Sequence, residues 1–407
     1  MTPDTGMQVV PFFDTATSTF SYVVVDTATQ HCAVIDSVMD YDPYSGTART
    51  HSVDQIIDYI QTHNLVNDWI VETHIHADHV SAAYYLKEKI GGKTGIGAHI
   101  VDVLKFWVGI FENQSDTPLT GEQFDCLFAD GDTFTIGTVG VRVLHTPGHT
   151  PACLTYVVND TNLFVGDTIF APYAGTARCD FPGGSAAQLY ASIQRLYTFP
   201  DATRIYLCHD YPEAGVDPMC WTTVGDQKKS NRMIHAGVSE AAFVEFRETR
   251  DYGKAVPKLI IPAIQTNARL GSFGDPSPGG IQFIKVPINQ LNRDQGVFRK
   301  VTSKYCVTGQ LTSDLIDDAC ARGFRSIVCF RPDHESLDQP LAADLAAYAT
   351  QKGLTFIQLP VASMAAIPDA TVADFAKNYA ELPTPIVGFC KSGGRALKVW
   401  KQMKEAQ

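Results

Sequence analysis

The chain has 407 residues, 45% of them hydrophobic and 19% charged, with a formal net charge of -12. That length exceeds one ordinary core and predicts two domains, and the acidic balance argues against nucleic acid and anionic membrane surfaces as partners. No apolar run approaches a membrane-spanning length, and neither a basic-then-apolar leader nor an Arg-rich presequence opens the chain, so a cytoplasmic setting is expected. Ten cysteines lie scattered without C-x-x-C pairs. Cys32, Cys153, Cys208, Cys306 and Cys329 fall in or beside apolar runs, where a thiol behaves as a small hydrophobe in a reduced compartment; Cys390 does not fit that description.

In chain order, strands are expected at Phe20–Val25, Cys32–Asp36, Trp69–Thr73, Val141–His145, Leu154–Val158, Leu163–Gly166 and Arg204–Cys208. Apolar residues at three-four spacing predict helices over Val53–His63, Ser81–Ile90 (with helical character from Val80 to Gly91), Ser185–Tyr197 and Ser239–Arg250. Short turns between the early strands predict a mixed sheet. The Gly/Pro/Ser-rich stretch 271–280 resembles a linker, yet the run 281–287 still reads as part of the first domain. The boundary is placed within Asn289–Gly296, giving domains 1–292 and 293–407. The second domain alternates again: helices Thr312–Arg322, Leu341–Lys352, Val372–Leu382 and Arg395–Glu405, strands Phe324–Phe330, Leu354–Pro360 and Ile386–Phe389. Thr312 or Ser313 is the expected N-cap of the first of these helices.

The densest chemistry is the run Thr73-His74-Ile75-His76-Ala77-Asp78-His79 between a buried strand and a helix. Three imidazoles and a carboxylate on one loop have little structural use unless an ion draws them together. Three more candidates follow, each after a strand: His149 in Pro-Gly-His, Asp167 in Val-Gly-Asp, and His209 in Cys-His-Asp-Tyr. A lone His209 reads equally well as a satisfied core histidine, but the combination does not. Ligands on several strand-end loops can meet at one sheet edge without disturbing the core.

This pattern resembles the metallo-β-lactamase superfamily, which implies an α/β fold, an αββα sandwich, over roughly the first 290 residues. The superfamily hosts both dinuclear hydrolases and mononuclear iron dioxygenases on much the same motifs. The segment Arg178-Cys179-Asp180-Phe181 is similar to the Arg-x-Asp-Phe segment of persulfide dioxygenases related to the ethylmalonic encephalopathy protein, with Cys179 where that family often has threonine. The resemblance implies that His74, His149 and Asp167 hold one Fe(II) per chain. It implies that His76, Asp78, His79 and His209 orient ligands and waters, supported by Asp210 and Tyr211, and that Arg178, with Asp180 and Phe181, holds the glutathione moiety. A surface ion pair between Arg178 and Asp180 is the plainer reading of that arginine. The implied substrates are glutathione persulfide and O2.

Cys390-Lys391-Ser392-Gly393-Gly394-Arg395 follows the last strand and opens a helix. Inward backbone N–H groups, the helix dipole and the charges of Arg395 and Lys391 are a recipe for a stabilised thiolate. Protein tyrosine phosphatases place five residues between Cys and Arg; here there are four, a ring poorly sized for phosphate. With Val307–Leu311 and Phe324–Asp333, this domain resembles the small α/β phosphatase-like, rhodanese-type sulfurtransferase domain of β-lactamase-like hydrolase proteins, although in the better-known fusions it precedes the dioxygenase. The resemblance implies that Cys390 carries a sulfane sulfur, with Arg395 and the loop Lys391, Ser392, Gly393 and Gly394 holding the anion, and that sulfite or thiosulfate is handled there. Asp333 and His334 read as ordinary loop residues.

The leading expectation is thus a bifunctional sulfide-detoxification enzyme with no nucleic-acid or membrane partner; the sequence allows a homo-oligomer. One rival is a dinuclear zinc thioester hydrolase of the glyoxalase II type, in which His76, Asp78, His79 and His209 bind a second metal. The other is a sensor in which Cys390 is modified without turnover.

Overall fold

The structure is a computed structural model that describes residues 6–213, 215–251, 254–288, 298–336, 339–363 and 366–406. The chain divides into two compact units. One takes the described residues up to Arg247 and continues to Pro287; the other takes those from Ile288 onward and a short stretch beginning at Glu248. The boundary expected within Asn289–Gly296 lies outside the described residues.

The first unit is built on two six-stranded sheets. One runs Met7–Asp14, Thr19–Asp26, His31–Ile35, Val66–Val71, Lys93–Gly97, Cys126–Phe128; the other runs Thr133–Ile136, Val139–His145, Leu154–Val158, Asn162–Phe164, Arg204–Tyr206, Trp221–Thr223. Both are mixed, with antiparallel hairpins and parallel pairs such as His31–Ile35 with Val66–Val71. Phe20, Tyr22 and Val24 from one sheet and Val141, Val143, Tyr156 and Phe164 from the other share one core cluster. Every residue of Thr19–Asp26 is buried, which explains why this strand is a continuous β-branched and aromatic run rather than an alternating one. Helix Ala186–Leu196 packs on the second sheet through Leu189, Ile193 and Leu196. It starts where the Ser185 hydroxyl accepts from the Gln188 N–H, leaving a helical spacing of apolar residues to face the sheet.

Among the elements that went unread in the sequence are strand Met7–Asp14 and helices Ile100–Phe111 and Ile260–Asn267. One expected helix is corrected at its start. Val80 and Ser81 pair as a short strand with Val38 and Met39, and the helix begins only at Ala83. Asn267 Oδ1 accepts from the Ser81 N–H at 2.7 Å, and the Ser81 hydroxyl donates to Glu72 at 2.6 Å. Those tertiary bonds hold the segment extended against its helical pattern.

The second unit is a five-stranded sheet ordered Arg299–Lys300, Tyr305–Thr308, Ile386–Phe389, Ser326–Cys329, Thr355–Gln358, parallel except for its first pair. Thr312, rather than Ser313, caps helix Ser313–Ala321, its hydroxyl accepting from Leu315 N. The fully buried strand Ile386–Phe389 sits at the centre, with apolar clusters on both faces. Cys390 therefore emerges at the carboxyl end of a central parallel strand, where open α/β sheets place their sites.

Candidate metal centre and thiol loop

The motif loops of the first unit converge after strands Val66–Val71, Val139–His145, Asn162–Phe164 and Arg204–Tyr206. Two glycines let them approach. Gly166 has φ +52, and a Cβ there would lie 2.4 Å from the Thr73 hydroxyl; Gly148 has φ +145, and a Cβ would meet the Leu189 backbone at 2.4 Å.

The side chains fall into two adjacent sets. Ligand atoms of His74, His149 and Asp167 lie within 4.8 Å of one another, as do those of His76, Asp78, His79 and His209. Asp167 reaches into both. Its Oδ2 is 3.6 Å from His149 Nε2 and 4.0 Å from His74 Nε2, and its Oδ1 is 3.3 Å from His209 Nε2.

Hydrogen bonds fix which nitrogen His149, His74 and His209 offer. His149 Nδ1 is 2.7 Å from the Arg178 carbonyl, which can only accept, so Nδ1 carries the hydrogen and Nε2 the lone pair. Thr73 spends its own hydrogen on Asp36 at 2.9 Å and accepts from His74 Nδ1 at 3.1 Å, leaving His74 Nε2 likewise bare. His209 Nδ1 faces the Ser18 carbonyl and the Thr19 hydroxyl, each at 3.2 Å. Its Nε2 then points at two carboxylates, Asp78 at 3.1 Å and Asp167 at 3.3 Å. Without a metal, that position calls for a proton: burial opposes the charge on His209, but Asp78 and Asp167 outweigh it and push the imidazole up to about 9. His76 Nε2 is taken by Asp36 at 3.1 Å and Glu72 at 3.4 Å. Burial works against a charge there too, but the two carboxylates hold His76 well above its ordinary value. Burial pushes His74 and His79 down.

A metal fits these residues. His74 Nε2, His76 Nδ1 and His79 Nε2 are buried without a hydrogen-bond partner, and His209 Nε2 faces only the carboxylates of Asp78 and Asp167. Each such orphan costs about 1–3 kcal/mol unless something satisfies it. A cation bound by nitrogen and carboxylate donors does so.

The other expected residues surround this edge. Asp210 is buried and accepts from the Tyr173 hydroxyl and from Met219 N, so it ties its own loop together. Tyr211 is 56% exposed, its ring stacked parallel to His209 with centroids 6.1 Å apart. Arg178 forms the ion pair with Asp180 that was the plainer reading of the sequence. Its Nε and Nη2 each reach Asp180 at 2.6 Å, and Nη1 donates to the Ala255 carbonyl at 2.7 Å. It lies over the Phe181 ring, whose edge contacts His149. The sequence reading missed Asp36, Glu72, Thr73, Thr19 and Asn267. Asp36 ends a strand just as Asp167 follows one, which was a readable signal. Asn267, whose side-chain amide donates to the carbonyls of His76 and His79 at 2.9 Å each, gave none.

In the second unit, Cys390 Sγ is buried and accepts from the N–H groups of Gly393 at 3.1 Å and Arg395 at 3.3 Å. Gly393 has φ +85 and helix Gly394–Glu405 starts behind it. The side chains of Lys391 and Ser392 are exposed, and Gly394 is exposed as well. Arg395 pairs through both Nη atoms with Glu335 at 2.8 Å and donates to the Val361 carbonyl at 2.6 Å. Burial disfavours its charge, but Glu335 and Cys390 raise the guanidinium above its usual value. Arg331 joins the same carboxylate at 2.8 Å and also holds Gln310 and Ser336. Asp333 accepts from Ala342 N at 2.8 Å at the start of helix Ala342–Gln351, and His334 takes a left-handed turn with φ +62.

Comparison with known proteins agrees with both halves. Residues 14–209 match the family described as Metallo-beta-lactamase superfamily, and residues 297–406 match the beta-lactamase hydrolase-like protein, phosphatase-like domain. A probable metallo-hydrolase of Burkholderia pseudomallei is 45% identical over 294 residues, covering 70% of this chain and 100% of that protein. A protein named glyoxylase B2 from Dictyostelium discoideum is 41% identical, covering 70% of this chain and 98% of its own length. The human mitochondrial persulfide dioxygenase ETHE1 is 28% identical over 64% of this chain and 87% of its own. The crystal structure of ETHE1 from Myxococcus xanthus superposes with a TM-score of 0.52 at 27% identity, covering 65% of this chain and all of that one. No helix among the described residues is long and apolar enough to cross a membrane.

Proposed function

The chain belongs to the metallo-β-lactamase superfamily of enzymes and carries a C-terminal phosphatase-like domain, and from that premise we propose that it is a persulfide dioxygenase with a sulfurtransferase domain. The reaction converts glutathione persulfide, O2 and water to glutathione, sulfite and two protons. The sulfane sulfur gives up four electrons and O2 takes four, so no further reductant is needed. One Fe(II), held by His74, His149 and Asp167, would supply the electron transfer between sulfur and O2.

The observation that carries this reading is the pair of bare Nε2 atoms of His74 and His149 beside Asp167, each imidazole locked through its other nitrogen. Two imidazoles and one carboxylate on one side of a point leave positions for two reactants. The similarity to persulfide dioxygenase ETHE1 supports the choice of substrate. His76, Asp78, His79 and His209 would orient waters and release protons beside the reacting sulfur. Arg178 would meet a glutathione carboxylate by exchanging it for Asp180. Cys390 would carry sulfane sulfur as a persulfide, either supplying glutathione persulfide or turning sulfite into thiosulfate, with Arg395 stabilising the anion.

A second reading has its own support. The four-ligand set beside Asp167 is the arrangement a dinuclear zinc thioester hydrolase needs, and glyoxylase B2 is a relative at 41% identity. Metal analysis of anaerobically purified protein, with an oxygen-electrode assay on glutathione persulfide, decides between them. About one iron per chain with O2 uptake supports the dioxygenase; two zinc ions with thioester cleavage and no O2 uptake overturns it.

A further inference from the structure

The loop after Cys390 turns its peptides in a fixed sense. The Ser392–Gly393 peptide donates its N–H to Cys390 Sγ at 3.1 Å, and its carbonyl oxygen accepts from Arg299 Nη2 at 2.6 Å. In a trans peptide those two groups point in opposite directions, so holding the carbonyl outward holds the N–H on the sulfur. The peptide before it is held by main chain: the Lys391 carbonyl accepts from the Gln310 N–H at 3.3 Å. For Ser392 the clamp is a side chain, reaching in from the edge strand Arg299–Lys300.

Gly393 makes this clamp both possible and necessary. Its φ is +85, and a Cβ there would lie 2.2 Å from Arg299 Nη2 and 3.0 Å from the Thr308 carbonyl oxygen. Without a side chain, it admits the guanidinium and also lets the peptide turn over, because glycine tolerates either sign of φ. Turned over, the peptide would set a carbonyl oxygen against the sulfur in place of a donor. A carbonyl that accepts from a charged donor also polarises its own N–H, which strengthens the bond to a thiolate. Arg395 and Arg331 pair with Glu335, whereas Arg299 spends Nη2 on the loop backbone. We propose that Arg299 is a positioning residue for the Cys390 thiolate, acting through the Ser392–Gly393 peptide. This role rests on the reading of Cys390 as the sulfur carrier. There the thiolate attacks the outer sulfur of glutathione persulfide, a new S–S bond forms, the old one breaks, and glutathione leaves as its thiolate.

The test uses the full chain and follows alkylation of Cys390 by iodoacetamide, read on its own peptide by mass spectrometry. Arg299→Ala should slow that reaction about fivefold at about pH 7, the loss of one charge-assisted hydrogen bond, and match wild type at about pH 10, where ionisation no longer limits the rate. Arg299→Lys, which keeps a charged donor, should restore the neutral rate to within about twofold of wild type. The ionisable groups packed around the thiol, which these variants leave unchanged, are Arg395, Arg331, Glu335, Cys329, Tyr305 and the exposed Lys391. An alanine variant as fast as wild type near neutrality overturns the proposal. So does one that is faster at both pH values, because the arginine would then merely shield the sulfur. If the alanine variant does not fold, Arg299→Gln decides: with a neutral donor it should be slower than wild type near neutrality and equal in alkali. A wild-type Cys390 that takes up no sulfane sulfur from glutathione persulfide ends the sulfur-carrier reading, while the alkylation contrast still tests Arg299. Sulfur uptake by wild type with unchanged alkylation in the variant ends only the role of Arg299.

Discussion

At the edge of the first unit, buried imidazole nitrogens of His74, His76 and His79 have no hydrogen-bond partner. Around Cys390 the opposite holds. Arg331 places its three nitrogens on Glu335, Gln310 and Ser336, Arg395 places two on Glu335, and the thiol sulfur accepts two backbone N–H groups. The donors of the first site suit a bound ion; the second is assembled by the protein's own ion pairs. Stability of the first should therefore follow metal occupancy, and that of the second should not.

His149→Ala tests this most severely. It should abolish bound metal and O2 uptake together, because it removes one of the three ligands proposed for the iron. In calorimetry of the wild type, chelation should remove about 3–4 kcal/mol, the mass-action value for a ligand at 100 to 1,000 times its dissociation constant. The loss should fall on the transition of the metal-binding unit; an equal loss in the Cys390 unit would erase the contrast.

Glu335→Ala probes the self-sufficient site. It strands two guanidiniums that are mostly withdrawn from solvent, 4% and 13% exposed. Breaking a buried pair costs roughly 3–5 kcal/mol, and partial exposure of Glu335 brings the expectation to about 2–3 kcal/mol in urea unfolding. The pH dependence has a definite sign. Arg395 first, then Arg331, hold Glu335 below its ordinary value against burial. Its contribution is complete above the unfolded glutamate value of about 4.3 and fades as pH falls through the lowered folded value. A variant with the wild-type acid profile would show that this carboxylate does not hold the loop.

The smallest effect is expected at Arg178. Since its guanidinium is already paired with Asp180, a substrate carboxylate gains only the difference between two partners. Arg178→Ala should raise KM for glutathione persulfide about five- to tenfold and lower kcat less. An unchanged KM would leave the arginine as a structural ion pair alone.

Arg178 also shows where sequence reading stops. Its residue type allows both a substrate carboxylate and the ion pair with Asp180, and only the packed structure shows that the ion pair is formed. Helix Ile100–Phe111 went unread although Ile100, Val103, Leu104, Trp107, Val108 and Phe111 repeat at helical spacing. It is rich in β-branched and aromatic residues, which suit a buried strand as well, and periodicity alone does not separate the two. The motif residues themselves were legible because each sits directly after a strand whose apolar pattern is plain.

The sequence by itself determined the chemical inventory: imidazoles and carboxylates on strand-end loops, and a thiol before a glycine turn and a helix. Those features are local, written within a few residues of one another. Tertiary structure decided which nitrogen His149 and His209 present, because the atoms that set it come from far along the chain. The Arg178 carbonyl lies 29 residues from His149, and Thr19 lies 190 from His209. It likewise decided that Arg331 and Arg395 share one carboxylate. Such contacts depend on how the sheets and helices pack, and no local pattern encodes that packing.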